Sequence, residues 1–248
     1  MNRLFPLRSV ALLLALLLAA CASSPSTPAQ DAARSPYTLL LISLDGVHPD
    51  ALTRGDTPNL SRLAATGVQA EWMNPSYPTL TFPNHYTLVT GLRPDRHGLV
   101  HNVMSSPELG RFMLSDRDAV GDARWWNDGE PLWVTAENAG MVTATMFWPG
   151  SEAAVRGVRP THWNLFDAEL PKADRVEQVL GWLSAPAESR PRLATLYFEH
   201  PDSAAHANGP ASDELRAAMR AVDAQIGRLV EGPELAAAGH VQRGRKSG

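Results

Sequence analysis

Leu39-Leu40-Leu41-Ile42-Ser43-Leu44 runs straight into Asp45-Gly46. A short, almost unbroken apolar run of this kind is predicted to be a buried strand of a parallel sheet, covered on both faces. It delivers a carboxylate at its C-terminal end, the edge where open α/β sheets bind ligands. Outward from it, strand-like and helix-like segments alternate, which predicts a mainly parallel α/β sheet. Thr57 is expected to cap a helix with Pro58 at its first position and Gly67 at its close. Val68 to Met73 reads as a second strand. Leu132 to Ala139 reads as a helix stopped by Gly140, and Val142 to Trp148 as a strand followed by Pro149-Gly150. Val176, Val179, Leu180 and Leu183 recur at helical spacing within Lys172 to Ser184. Leu193 to Phe198 is the next strand, with Asp202 just past its end. Leu215, Met219, Val222, Ile226 and Leu229 line one face of a helix from about Ala211 to Val230. No strand-like run follows, so that apolar face is expected to lack a cover.

A second stretch, Pro78-Thr79-Leu80-Thr81-Phe82-Pro83-Asn84-His85-Tyr86, carries the chemistry. It sets the hydroxyl of Thr81 in a Pro-bounded turn ahead of a helical segment from His85 to Thr90, closed by Gly91. A helix start offers unpaired backbone N–H groups and a partial positive charge, both suited to an anion. A hydroxyl, the Asp45 carboxylate and an anion-binding turn together suit phosphoryl transfer, given a metal to lower the proton affinity of the hydroxyl.

The ends of the chain point to export. Arg3 and Arg8 precede the apolar stretch Val10 to Ala20, which is too short to span a bilayer and reads, within residues 1–20, as a signal peptide. Leu18-Ala19-Ala20-Cys21 matches a bacterial lipoprotein processing box, so Cys21 is the expected lipidation site; an ordinary secretory signal is the other reading. With Ala22 next, the expected location is the cell envelope, periplasmic and anchored at the outer membrane, with the lipid as the only membrane contact. Cys21 is the only cysteine, which excludes an internal disulfide and thiolate metal sites. Residues 21–36 read as a flexible tether. Removing residues 1–20 takes away two arginines and no acid, moving the net charge from −4 to −6. A mildly acidic chain without basic clusters is a poor nucleic-acid binder. Residues 37–231 are expected to form one catalytic domain. Residues 232–248 read as an aberrant tail, basic and Gly-rich, the product of a truncated or frame-shifted C-terminus.

Several blocks in order resemble the nucleotide pyrophosphatase/phosphodiesterase family of the alkaline phosphatase superfamily. They are Leu44-Asp45-Gly46, Thr57-Pro58-Asn59-Leu60, Thr79 to Asn84, Val89 to Pro94, His97 to Asn102, Trp148 to Ser151, and Pro201-Asp202 with His206. The resemblance covers about Tyr37 to Val230. It implies a three-layer α/β/α sandwich, incomplete at the C-terminus, and hydrolysis of nucleotide diesters or pyrophosphates to nucleoside monophosphates.

It also implies Thr81 as the nucleophile of a phospho-threonine intermediate, with Asp45 on the same zinc and Asp202 and His206 on a second. Asn102 would donate to a non-bridging phosphate oxygen. Phe82 and Tyr197 would sandwich a nucleotide base, with Leu114 as a further contact, although both rings also read as core aromatics. Ala205 stands where the family usually has Gly. Two zinc ions are implied, yet the family's further ligands, an Asp-His pair and a later His, have no counterpart in the sequence. The expectation is therefore impaired activity; the alternative is a catalytically inactive lipoprotein fragment. His85 and His97 read as structural hydrogen-bonders, and Trp125-Trp126 as part of a packed insertion.

Overall fold

The computed structural model describes residues 37–232. The signal segment, Cys21, the tether and residues 233–248 lie outside the described residues. In chain order the elements are β1 (Leu39–Leu44), α1 (Pro58–Thr66), α2 (Thr81–Thr90), α3 (Pro94–His97), β2 (Val103–Ser106) and β3 (Gly110–Met113). They continue with α4 (Arg117–Gly121), α5 (Leu132–Asn138), β4 (Thr143–Met146) and β5 (His162–Trp163). The last are α6 (Lys172–Leu183), β6 (Leu193–Phe198), α7 (His200–Asn208) and α8 (Asp213–Glu231).

The main sheet has the order β1-β6-β4-β5 and is parallel throughout; β2 and β3 form a separate antiparallel hairpin. Alternation along the strands sends residues into two cores. On one face Ala144, Met146, Ala194, Leu196 and Phe198 meet Val176, Val179 and Leu180 of α6 and Val222, Ile226 and Leu229 of α8. On the other, Leu41 and Leu193 meet Tyr86 and Val89 of α2, Trp133 of α5, and the insertion that buries Trp125 and Trp126. Helices therefore cover both faces of a parallel sheet, the expected class.

Three sequence expectations fail, each for a physical reason. β1 is an edge strand: Leu39 is exposed and the rest only half-buried, because β6 is its sole partner among the described residues. Val68 to Met73 forms no strand; Val68, Trp72 and Met73 are exposed, and no described strand pairs with them. The apolar face of α8 is covered, not open. Met219, Val222, Ile226 and Leu229 are all buried, and the last three pack with residues of β4, β6, α6 and α1.

The start of α1 differs as well. Thr57 makes no side-chain cap and instead donates to the Ala51 carbonyl at 2.9 Å. The cap comes from Asp223 of α8, whose buried carboxylate accepts from the N–H of Asn59 at 3.0 Å and of Leu60 at 2.8 Å. The Asn59 amide donates to the same group at 3.0 Å. A carboxylate at a helix N-terminus satisfies orphan donors and opposes the helix dipole.

Candidate active site

Asp45 lies one residue past β1, and its N–H donates to the Phe198 carbonyl at 2.9 Å, continuing the β1–β6 ladder. Gly46 then turns the chain with φ +70. A Cβ there would stand 2.7 Å from the Cα of Asp202, so only glycine lets the backbones of the β1 loop and α7 touch. That approach brings together two carboxylates far apart in sequence, at the C-terminal edge of the sheet.

Thr81 is the first residue of α2, which begins four residues earlier than the sequence suggested. Pro83 falls in its first turn, where a missing N–H costs nothing. Thr81 Oγ1 donates to Asp45 Oδ2 at 3.1 Å, and the same oxygen accepts from the Tyr197 hydroxyl at 2.9 Å. Behind Thr81, His85 is buried between two elements. Its Nδ1 lies 2.7 Å from the Thr81 carbonyl and its Nε2 2.7 Å from Ser43 Oγ. A carbonyl only accepts, so Nδ1 carries the proton and Nε2 accepts from the serine. Burial holds His85 below the usual imidazole range, against an upward pull from Asp45, which keeps it in that neutral form. Trp148 Nε1 donates to the His85 carbonyl at 3.1 Å, fastening α2 to the end of β4.

Asn102 reaches the start of α2 from the other side. Its Oδ1 accepts from the Phe82 N–H at 2.9 Å, which fixes the amide so that its two N–H donors remain for a ligand. Leu114, half-exposed, donates its N–H to the Asn102 carbonyl at 3.0 Å and so sets the hairpin against this loop. His97 behaves as expected: it is fully buried, accepts from Leu99 N–H at 3.2 Å and pairs with Thr87 Oγ1 at 3.0 Å.

Of the two readings of the aromatic pair, base-stacking and core, burial favours the core one. Phe82 keeps 8% of its surface and packs against Phe112 and Trp126, each at 5.8 Å between ring centroids. Tyr197 keeps 6%, meets His85 edge-on at 4.9 Å, and spends its hydroxyl on Asp45. A base would find little open ring on either side, because both rings are already used by the core. Burial, and then the Asp45 charge, push the Tyr197 phenol up, so it stays a donor.

Asp202 and His206 sit one turn apart on α7, their side chains 3.5 Å apart. Burial, and then Asp45, raise Asp202 above the usual carboxylate range, with His206 and His85 pulling the other way. A cation between the two carboxylates would relieve that repulsion, and carboxylate, hydroxyl and imidazole donors are types that zinc accepts. Among the described residues, however, no three His, Cys, Asp or Glu side chains converge on one point. The donors present fit part of a cation centre.

The sequence reading named Asp45, Thr81, Asp202 and Asn102, and His85 as a structural hydrogen-bonder; it did not anticipate Ser43 or the Tyr197 hydroxyl beside them. Ser43, the one polar residue in the β1 run, was the available signal: it pairs in register with Tyr197 and hydrogen-bonds His85.

Comparison with known proteins identifies the family of the chain. Residues 39–236 match the family model for type I phosphodiesterase/nucleotide pyrophosphatase. An uncharacterized pyrophosphatase/phosphodiesterase of Schizosaccharomyces pombe is 43% identical over 79% of the chain, which spans 40% of that relative. Human ectonucleotide pyrophosphatase/phosphodiesterase family member 1 is 40% identical over 78% of the chain and 21% of its own length. Murine ectonucleotide pyrophosphatase/phosphodiesterase 5, solved as an inactive threonine-to-alanine variant with AMP, superposes with a TM-score of 0.75 at 31% identity. The alignment covers 82% of this chain and 53% of that one. The chain thus spans about half or less of the length of these relatives.

Proposed function

This chain belongs to the type I phosphodiesterase/nucleotide pyrophosphatase family, and from that premise we propose that its site performs phosphoryl transfer on a nucleotide diester or pyrophosphate. The observation that carries the reading is the Thr81–Asp45 contact of 3.1 Å at the N-terminus of α2. Asp45 Oδ2 takes the hydroxyl hydrogen, so the lone pairs of Thr81 Oγ1 are left for phosphorus. Attack forms the Thr81 Oγ–P bond and breaks the bond to one alcohol or phosphate arm. That arm leaves with the electron pair of the broken bond and takes up the proton that Asp45 had accepted. The covalent phospho-threonine keeps the other arm, and water then releases it as a monophosphate. Asn102, its Oδ1 engaged by Phe82 N–H, offers its amide hydrogens to a non-bridging oxygen. A neutral donor suits a diester, which has one charge fewer than a monoester. A relative with AMP bound supports a nucleotide as the ligand.

Asp45 and Thr81 would hold one zinc ion, and Asp202 and His206 another. Bound there, the ions would neutralise phosphate oxygens and lower the proton affinity of the hydroxyl. The test compares bis(p-nitrophenyl) phosphate with p-nitrophenyl phosphate in added zinc. Faster diester turnover is expected; faster monoester turnover overturns the preference.

A second reading is a catalytically inactive protein in which Asp202 and the exposed His206 hold no ion. Zinc content near two ions per chain contradicts it. The lipoprotein reading of Cys21 is likewise a proposal, tested by labelling with a radioactive fatty acid. Label should disappear in Cys21→Ala. Among the described residues no helix is long and apolar enough to cross a membrane.

A further inference from the structure

We propose that Tyr197 is a positioning residue for Asp45, holding the carboxylate in the rotation that presents Oδ2 to the Thr81 hydroxyl. The inference rests on the phosphoryl-transfer reading above and assigns a part to a residue that the sequence analysis had placed against a base.

Both hydroxyls donate to one oxygen: Thr81 at 3.1 Å and Tyr197 at 2.9 Å, each to Oδ2. Oδ1 has no protein donor among the described residues, which leaves it for a cation. The terminal torsion of an aspartate is broad and two-fold, so the carboxylate rotates readily unless something pins it. Thr81 is a poor pin, because its own hydroxyl turns freely and is the group to be positioned. Tyr197 is a good one. It projects from β6, a strand buried along its whole length, and its backbone is in register with Ser43 of β1, two residues before Asp45. Its ring is held edge-on by His85, with 85° between the planes. That imidazole also bonds Ser43 and the Thr81 carbonyl. The hydroxyl is therefore a fixed post relative to the strand that carries the carboxylate and to the helix that carries the nucleophile.

Tyr197→Phe removes the hydroxyl and keeps the ring contact, so the test begins there. Hydrogen-bond partners of a metal-binding side chain typically change affinity or activity by about 10–100-fold when lost. We expect zinc affinity, read by competition with a chromogenic chelator, to fall by about tenfold. kcat on the diester should fall by a similar factor, with KM and the melting temperature little changed. Unchanged zinc affinity and kcat overturn the proposal, and so does a loss confined to stability. In an Asp45→Asn background the Tyr197→Phe effect on zinc affinity should vanish; an undiminished effect shows that Tyr197 acts elsewhere. If the unsubstituted chain binds no zinc and turns over no diester, the functional reading fails, while crystal structures of the two chains still decide the positioning. Loss of the Thr81–Asp45 contact in Tyr197→Phe supports it, and retention overturns it.

Discussion

The two halves of the site are built to different standards. Around Thr81, Asp45 is held by two hydroxyls, α2 is tied to β1 through His85 and Ser43, and Asn102 is locked by the Phe82 N–H. Around Asp202, the side-chain partner among the described residues is His206, whose side chain is 82% exposed and which lies 3.5 Å away. The first half is preorganised before any ligand arrives. The second is a helix-surface pair that must be ordered by whatever binds it, and immobilising an exposed side chain costs entropy.

The largest expected effect tests that inequality directly. Removing a preorganised ligand should hurt zinc binding more than removing an unordered one. Asp45→Asn is expected to lower affinity by on the order of 10–100-fold, and His206→Ala by less. Isothermal titration of both variants measures it; equal losses would erase the distinction between the halves.

A smaller effect reaches the site through its scaffold. Asp223 ties α8 to the start of α1, which follows the loop leading out of the site. Asp223→Ala leaves the Asn59 and Leu60 N–H groups without their acceptor, and should cost about 1–3 kcal/mol in urea unfolding. A change well under 1 kcal/mol would mean that water or Thr57 substitutes for the cap.

The smallest expected effect is the pH dependence of stability. Burial holds both His85 and His97 below the ordinary imidazole value of 6.5. The unfolded chain therefore binds the extra protons first. The contribution of each histidine is full above about pH 6.5 and is lost as pH falls from there through the depressed folded values. Melting temperature should drop between pH 7 and pH 5, and the drop should shrink in His97→Gln. A drop of the same size in that variant would remove His97 from the account.

How much of this was legible from sequence follows the range of the interactions. β6 was read residue for residue, and α6 to within its last residue, because burial on both faces or on one stripe imprints a local pattern. The pairing of Asp45 with Thr81 was legible because strand end and helix start each carry their own signal. What failed depended on distant partners. The cap on α1 comes from Asp223, and nothing near Thr57 indicates it. Val68 to Met73 has strand-like residues but no strand beside it among the described residues. The family resemblance implied a stacking role for Tyr197 beside a core one, and neither reading gives the partner of its hydroxyl, which is set by the distant Asp45.

The central claim is that the Thr81 hydroxyl, presented by Asp45, attacks phosphorus. The most direct test is an acid quench during diester turnover in zinc, followed by peptide mass spectrometry, with Thr81→Ala run in parallel. The account expects a phosphoryl adduct on the peptide containing Thr81, and none in the variant, whose turnover falls by about a thousandfold or more. Full turnover by a folded Thr81→Ala chain, or an adduct at another residue, would contradict it.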